Sequence, residues 1–112
     1  VKSIVKKITL KALSEGIPKG TALNVNFPNL AEEKIKGIKV CKQANAYWIE
    51  KFDKRINPQG REYYWLTGEF INNDKSSESD EWALKNGFVS VVPVKFDLTN
   101  YEAIKNLKSW NL

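Results

Sequence analysis

The chain has 112 residues, a formal net charge of +5, one cysteine and no histidine. That length supports one modest domain or part of a larger one, and a lone cysteine excludes an internal disulfide and suits a reducing compartment. Without histidine, the commonest zinc ligand and the commonest general base are missing, so neither a Ser-His-Asp nor a Cys-His site can form within the chain.

No apolar run approaches the roughly 20 residues of a membrane span, and the start lacks a signal-peptide pattern. A cytoplasmic location with no membrane partner is the expectation. The sequence opens on Val1 and runs straight into helix-like residues, as a segment of a longer protein does. Basic residues concentrate in residues 1–40, with eight lysines against Glu15, Glu32 and Glu33. Their spacing suits the solvated face of a helix, and charge balance of this kind bears on solubility and association rather than fold.

Residues 1–16 place Val1, Ile4, Val5, Ile8 and Ala12 at helical spacing, with Gly16 as C-cap and Pro18 as a stop. "TALNVNFP" alternates Leu23, Val25 and Phe27 with Asn24 and Asn26, which predicts a strand buried on one face. The two asparagines are expected to hydrogen-bond a neighbouring loop. After the connector "NLAEEKIKG" a second strand, "GIKVCKQ", is predicted.

The stretch "KFDKRINPQGREYYWLTGEF" (51–70) predicts a long hairpin. Pro58 presets φ at the second position of a type I turn, and Gly60 supplies the left-handed residue that closes it. One face of the outgoing arm carries Ala46, Trp48, Phe52 and Ile56, and the other carries Tyr47 and Ile49. The return arm puts Tyr63 and Trp65 on one face and Tyr64, Leu66 and Phe70 on the other. A strand packed on a single core alternates apolar with polar residues, so an arm that is apolar on both sides needs cover on both.

"INNDKSSESDE" reads as an acidic loop, with Ser79 or Asp80 capping a short helix "EWALKNG" that ends at Gly87. "FVSVVPV" is a strongly apolar strand with Pro93 near its end. "LTNYEAIKNLKSW" closes the chain as a helix, with Thr99 and Glu102 in capping-box spacing and Ile104, Leu107 and Trp110 as a buried stripe. A helix followed by an isolated strand suits the last αβ step of a sheet whose earlier strands lie upstream.

Catalytic constellations are missing. There is no Gly-rich phosphate loop, nucleophile elbow or metal-type His/Cys spacing. The acidic pairs Glu32-Glu33 and Asp80-Glu81 lie in a connector and at a helix start, and both suit solvated surface better than a hard-cation site. The local signal with force is the hairpin. Lys51, Lys54, Arg55 and Arg61 interleaved with Tyr63, Tyr64 and Trp65 fit a single-stranded nucleic-acid platform, although the same residue types are enriched at protein–protein interfaces. Exchange with a second copy accounts most simply for two sticky faces, which makes Trp48, Phe52, Ile56, Tyr63, Tyr64 and Trp65 the candidate interface residues.

The motifs "KGTALNVNFPNL", "IKGIKVCKQ", "FDKRINPQGREYYWLTGEF" and "DEWALKNGFVSVVPVKFDLTNYEAI" follow one another in the order and spacing of the C-terminal part of the SurE, or survival protein, family. The resemblance covers nearly the whole chain. It departs from the common pattern at Cys41-Lys42, Ala44-Asn45-Ala46 and Val92, which weakens any anion grip by residues 41–46. It implies the C-terminal portion of an α/β, three-layer αβα fold with a mixed sheet, a protruding hairpin, and a C-terminal helix exchanged between subunits. Within one such domain, residues 1–43 hold the last αβ step and the following strand, 44–70 the oligomerisation hairpin, and 71–112 the loop, strand and closing helix. The resemblance further implies a phosphatase for nucleoside 5′-monophosphates that depends on a divalent metal, Mg²⁺ or Mn²⁺. Its ligands lie in an N-terminal part without counterpart here, so no catalytic residue is assigned and the segment alone is expected to be inactive. Homodimers or homotetramers are implied, and Arg55, Arg61 and Tyr64 become candidates for shaping a neighbour's substrate entrance. An independent single-stranded nucleic-acid-binding module and a pure oligomerisation domain remain the alternatives.

Overall fold

Helix α1 (Lys2–Glu15) opens the chain, and in this computed structural model, which describes residues 1–110, it ends at Gly16 with φ 79°. Then follow β1 (Thr21–Asn26), a 3-10 turn (Glu32–Lys34), β2 (Gly37–Val40), β3 (Ala46–Ile56), β4 (Glu62–Asn72), α2 (Asp80–Lys85), β5 (Phe88–Lys95) and α3 (Tyr101–Leu107). The strands form two separate sheets, a three-stranded one in the order β1-β5-β2 and the β3-β4 hairpin. β5 runs antiparallel to β1 and parallel to β2, so the sheet is mixed.

β5 is the centre, and its sequence explains why. Val89, Ser90, Val91 and Val92 are all buried, which requires cover on both faces and yields a near-continuous apolar run rather than alternation. Successive residues point to opposite faces. Val92 packs with Cys41 and with Ala83 of α2, whereas Val91 faces a cleft lined by Ile8 and Ala12 of α1 and by Leu23, Ile38 and Val40. α1 and α2 therefore lie on opposite sides of the sheet. The α1 side is loosely closed: the cleft holds about 330 Å³, and Val40 is 69% exposed.

Pro93 sits in this central strand without breaking it. The Cys41 N–H donates to the Val91 carbonyl at 2.9 Å, so the hydrogen-bonding groups of Val91, and of Pro93 two residues on, point toward the β2 side. β2 stops pairing at Val91, so Pro93 lies past the last paired residue of that ladder, where a strand tolerates a missing N–H.

Three local expectations need correction. Asn24 and Asn26 bond each other, with Asn26 Nδ2 donating to Asn24 Oδ1 at 3.2 Å, because both project from the same exposed face of β1. The N-cap of α3 is Asn100, whose Oδ1 accepts the Ala103 N–H at 2.9 Å; Asp97 turns the backbone at Thr99 and moves the helix start one residue later. The stripe expected of α3 is not buried within one chain, with Ile104 37% and Leu107 44% exposed, and Trp110, 61% exposed, lies beyond the end of the helix.

The molecule is extended. Its radius of gyration is 20.3 Å, against about 13 Å for a compact domain of this length. It exposes 9383 Å², roughly 3,000 Å² more than a folded monomer of its mass. Among the described residues no helix is long and apolar enough to cross a membrane.

Candidate functional site

The arm formed by β3 and β4 is exposed along nearly its whole length. Each strand has 11 residues, which makes the ribbon about 35 Å long. The sequence Asn57-Pro58-Gln59-Gly60-Arg61 dictates its tip. The Gly60 N–H donates to the Asn57 carbonyl at 2.9 Å and the Asn57 N–H to the Arg61 carbonyl at 2.9 Å. Asn57 Oδ1 accepts the N–H groups of Gln59 and Arg61 at 3.0 and 2.9 Å. Gly60 takes φ 78°, a conformation that costs a residue with a Cβ about 1 kcal/mol or more.

Directly opposed residues of an antiparallel pair share a face, and the register assigns them. Trp48 opposes Phe70, Phe52 opposes Leu66, Lys54 opposes Tyr64 and Ile56 opposes Glu62; with Ala46, Glu50 and Gly68 these make face one. Tyr47 opposes Ile71, Ile49 opposes Glu69, Lys51 opposes Thr67, Asp53 opposes Trp65 and Arg55 opposes Tyr63, which makes face two. The six candidate interface residues are all exposed: Trp48 63%, Phe52 69%, Ile56 66%, Tyr63 40%, Tyr64 58% and Trp65 53%. Four of them lie on face one, while Tyr63 and Trp65 lie on face two. Of the substrate-entrance candidates, Arg55 and Tyr64 stand on opposite faces and Arg61 sits at the tip, so no single surface gathers all three.

The arm is basic by count of cations yet neutral in balance. Residues 46–72 hold Lys51, Lys54, Arg55 and Arg61 against Glu50, Asp53, Glu62 and Glu69. Lys54 pairs with Glu62 at 2.6 Å and Arg55 Nε with Asp53 at 2.9 Å, and the Arg55 guanidinium lies 5.7 Å from the Trp65 ring centre. With Lys54 and Arg55 engaged by neighbouring carboxylates and no net charge, the arm makes a poor track for a phosphate backbone, whose binding depends on net positive charge. This self-pairing escaped sequence reasoning, although the alternation of signs along β3 was a usable signal.

The root of the arm is tied to the sheet by a short polar network. Lys42 Nζ reaches Asp74 Oδ2 at 2.6 Å, Asp74 Oδ1 accepts the Ser76 N–H at 2.8 Å, and Asp80 Oδ1 accepts the Ala44 N–H at 2.9 Å. Backbone bonds from Lys42 to Glu78 (3.0 Å), from Asp80 to Lys42 (3.0 Å) and from Asn73 to Asn45 (3.2 Å) add to it. Lys42 and the backbone N–H of Ser76 hold the Asp74 carboxyl below its ordinary range. Ser79 caps α2, accepting the Trp82 N–H at 3.3 Å.

Among the described residues no group of three or more His, Cys, Asp or Glu stands close enough to hold a metal ion. Glu32 accepts a hydrogen bond from Ser3, and Asp80 is spent on backbone N–H groups of Ala44 and Glu81. The donor set for a divalent ion is therefore not assembled by the described residues. Burial pushes the Cys41 thiol up from its ordinary pKa, which keeps it protonated and a weak nucleophile.

The family model described as "Survival protein SurE" matches residues 1–50, ending inside β3. The "5'-nucleotidase SurE" of Flavobacterium psychrophilum is 59% identical over 111 residues, covering 99% of this chain and 43% of that protein. The protein of the same name from Christiangramia forsetii is 60% identical over the same shares. The crystal structure of the SurE protein from Aquifex aeolicus superposes with a TM-score of 0.71 at 44% identity, covering 96% of this chain and 44% of that one. The chain thus spans less than half the length of the curated relatives it matches. The identity is sustained through sheet, arm and closing helix, so the chain is similar to SurE proteins along nearly its whole length.

Proposed function

We propose that this chain is the C-terminal segment of a divalent-metal-dependent phosphatase that hydrolyses nucleoside 5′-monophosphates, and that it supplies sheet strands and the arm that joins subunits. The carrying observation is 59% identity, along 99% of the chain, to a protein named 5'-nucleotidase. The outer edge of β2 and the open cleft under α1 suit further elements of the same domain, packed where residues 1–43 form its last αβ step. Residues 44–70 are then the oligomerisation hairpin and 71–112 the loop, strand and closing helix. The metal, Mg²⁺ or Mn²⁺, takes its ligands from outside this segment, and no step of the reaction is assigned to the residues described above.

The segment's own contribution is architectural. An arm with both faces exposed, and a closing helix whose Ile104 and Leu107 are wet, with Trp110 wet just beyond it, both fit exchange with a second copy in a homodimer or homotetramer. Arg61, at the tip, is the residue best placed to reach a neighbour's substrate entrance, because Arg55 is engaged with Asp53 and Tyr64 faces the other side. The test is phosphate release from nucleoside 5′-monophosphates by the intact gene product with Mn²⁺ or Mg²⁺. Hydrolysis there, with none by the 112 residues alone, is the expected result. Turnover by the isolated segment, or none by the intact product, overturns the assignment.

A further inference from the structure

Gly68 leaves a notch in face one of the arm. It opposes Glu50 across the ribbon, with Trp48 and Phe70 on one side and Phe52 and Leu66 on the other. No side chain fits there without moving the backbone, because a Cβ would stand 2.7 Å from the Ile49 carbonyl oxygen and 3.2 Å from Trp48 Cε3. The indole therefore leans over bare backbone, and Phe70 braces it with ring centres 5.8 Å apart. A groove of about 550 Å³ remains, lined by Trp48, Glu50, Leu66, Thr67 and Gly68, and Trp48 is 63% exposed beside it.

Glu50 gives the groove its chemistry. Of the two carboxylates on face one, Glu62 is neutralised by Lys54 at 2.6 Å, whereas Glu50 enters no ion pair among the described residues. An ionised carboxylate only accepts, through two oxygens side by side, so the groove suits a flat ring with two adjacent N–H donors. Among the nucleobases guanine alone presents that edge, N1–H beside the N2 amino group. Adenine and cytosine set an acceptor beside their amino group, and uracil sets its one N–H between two carbonyls. Aromatic side chains stack bases of every kind, so Trp48 supplies the platform and Glu50 the choice. We infer that Trp48, Glu50 and Gly68 form a subsite for a guanine base, with Glu50 accepting from N1–H and the N2 amino group in a bidentate pair. This rests on the nucleotidase reading above and names the base of the preferred substrate. The groove lies in the half of the ribbon nearer the sheet, which leaves Ile56 and Tyr64 toward the tip for a second copy. One stacked ring and one bidentate contact on an open face hold a free nucleoside at about millimolar concentration, which a strand at micromolar concentration does not reach.

The intact gene product with Mn²⁺ tests this through kcat/KM for three nucleoside 5′-monophosphates. Guanosine monophosphate is expected to exceed adenosine monophosphate by about tenfold, and inosine monophosphate, which lacks the N2 amino group, should fall between them. Glu50→Gln is isosteric at an exposed position and should bring the guanine-to-adenine ratio near one. Gly68→Ala should lower the ratio by lifting the indole, while Ile49→Thr on face two should keep the parent's. Equal values for the three substrates, or a preference that survives E50Q, overturn the assignment and leave the nucleotidase reading standing. No hydrolysis of any of them overturns that reading instead, and a second readout then judges the groove. Guanosine at about 1 mM should shift the ¹⁵N-indole signal that Trp48→Phe removes and spare the one that Trp65→Phe removes. An unshifted Trp48 signal refutes the site. Arginine shifting it as far as guanosine makes the groove a seat for cations and refutes the base. A guanosine shift without substrate preference assigns the base to a separate effector and overturns the substrate role.

Discussion

Lys42 Nζ and Asp74 Oδ2 meet at 2.6 Å across the root of the arm, joining the segment that leaves the sheet to the segment that returns to it. The pair sits beside backbone bonds from Lys42 and Asn73, so it fixes the direction in which the ribbon leaves the body. Asp74→Asn should loosen that joint, with the amides of Lys42 and Asn73 exchanging several-fold faster while those of β5 are unaffected. Exchange unchanged at the root would show that the backbone bonds suffice. The pH sign follows from the lowered Asp74 pKa. The stabilisation is complete above the ordinary carboxylate range and disappears as pH falls through the lowered value.

Asp97 gives a sharper titration. Hydrogen bonds from the Thr99 side chain, the Tyr101 hydroxyl and the Thr99 N–H bring its carboxyl down to about 2, with the Tyr101 oxygen 2.5 Å away. Its contribution to the turn before α3 should hold above about pH 4 and vanish as pH drops through about 2. Carboxyl-carbon NMR of Tyr101→Phe should find the Asp97 pKa raised toward the ordinary range. An unmoved value refutes the hydroxyl's part.

Val89 is fully buried at the centre of the sheet. Val89→Ala should cost about 1–3 kcal/mol through lost burial and a residual cavity, lowering Tm by roughly 5–15 °C. A loss well below this range would show that the loosely closed α1 side collapses onto the gap.

The neutral arm predicts an absence of nucleic-acid affinity. A single-stranded oligonucleotide titrated at low salt should leave the fluorescence of Trp48 and Trp65 unchanged. Tight binding with a steep salt dependence would restore the nucleic-acid reading of the basic and aromatic residues.

Much of this architecture is legible in the residues. The 3.6-residue spacing before Gly16, the alternation around Leu23 and Val25, and the Asn-Pro-Gln-Gly turn each specify local structure through short-range chemistry. The apolar run through Val89–Val92 announces a strand covered on both faces. What escapes depends on register or on competition between neighbours. Which return-strand aromatics join Trp48 is decided by the pairing of Phe52 with Leu66, and periodicity alone does not carry that. Thr99 and Asn100 are both good caps, and the Asp97 turn settles the choice. The wetness of Ile104 and Leu107 was invisible for another reason: an amphipathic stripe requires a partner without saying whether the same chain provides it.

Shortening the arm tests its central role most directly. Replacing residues 49–69 with a two-residue turn leaves the β1-β5-β2 sheet and the Lys42–Asp74 joint in place. Sedimentation velocity of the intact gene product should then show an assembled parent and a folded, monomeric variant. A shortened variant that assembles like the parent, or a parent that stays monomeric across the micromolar range, contradicts the account.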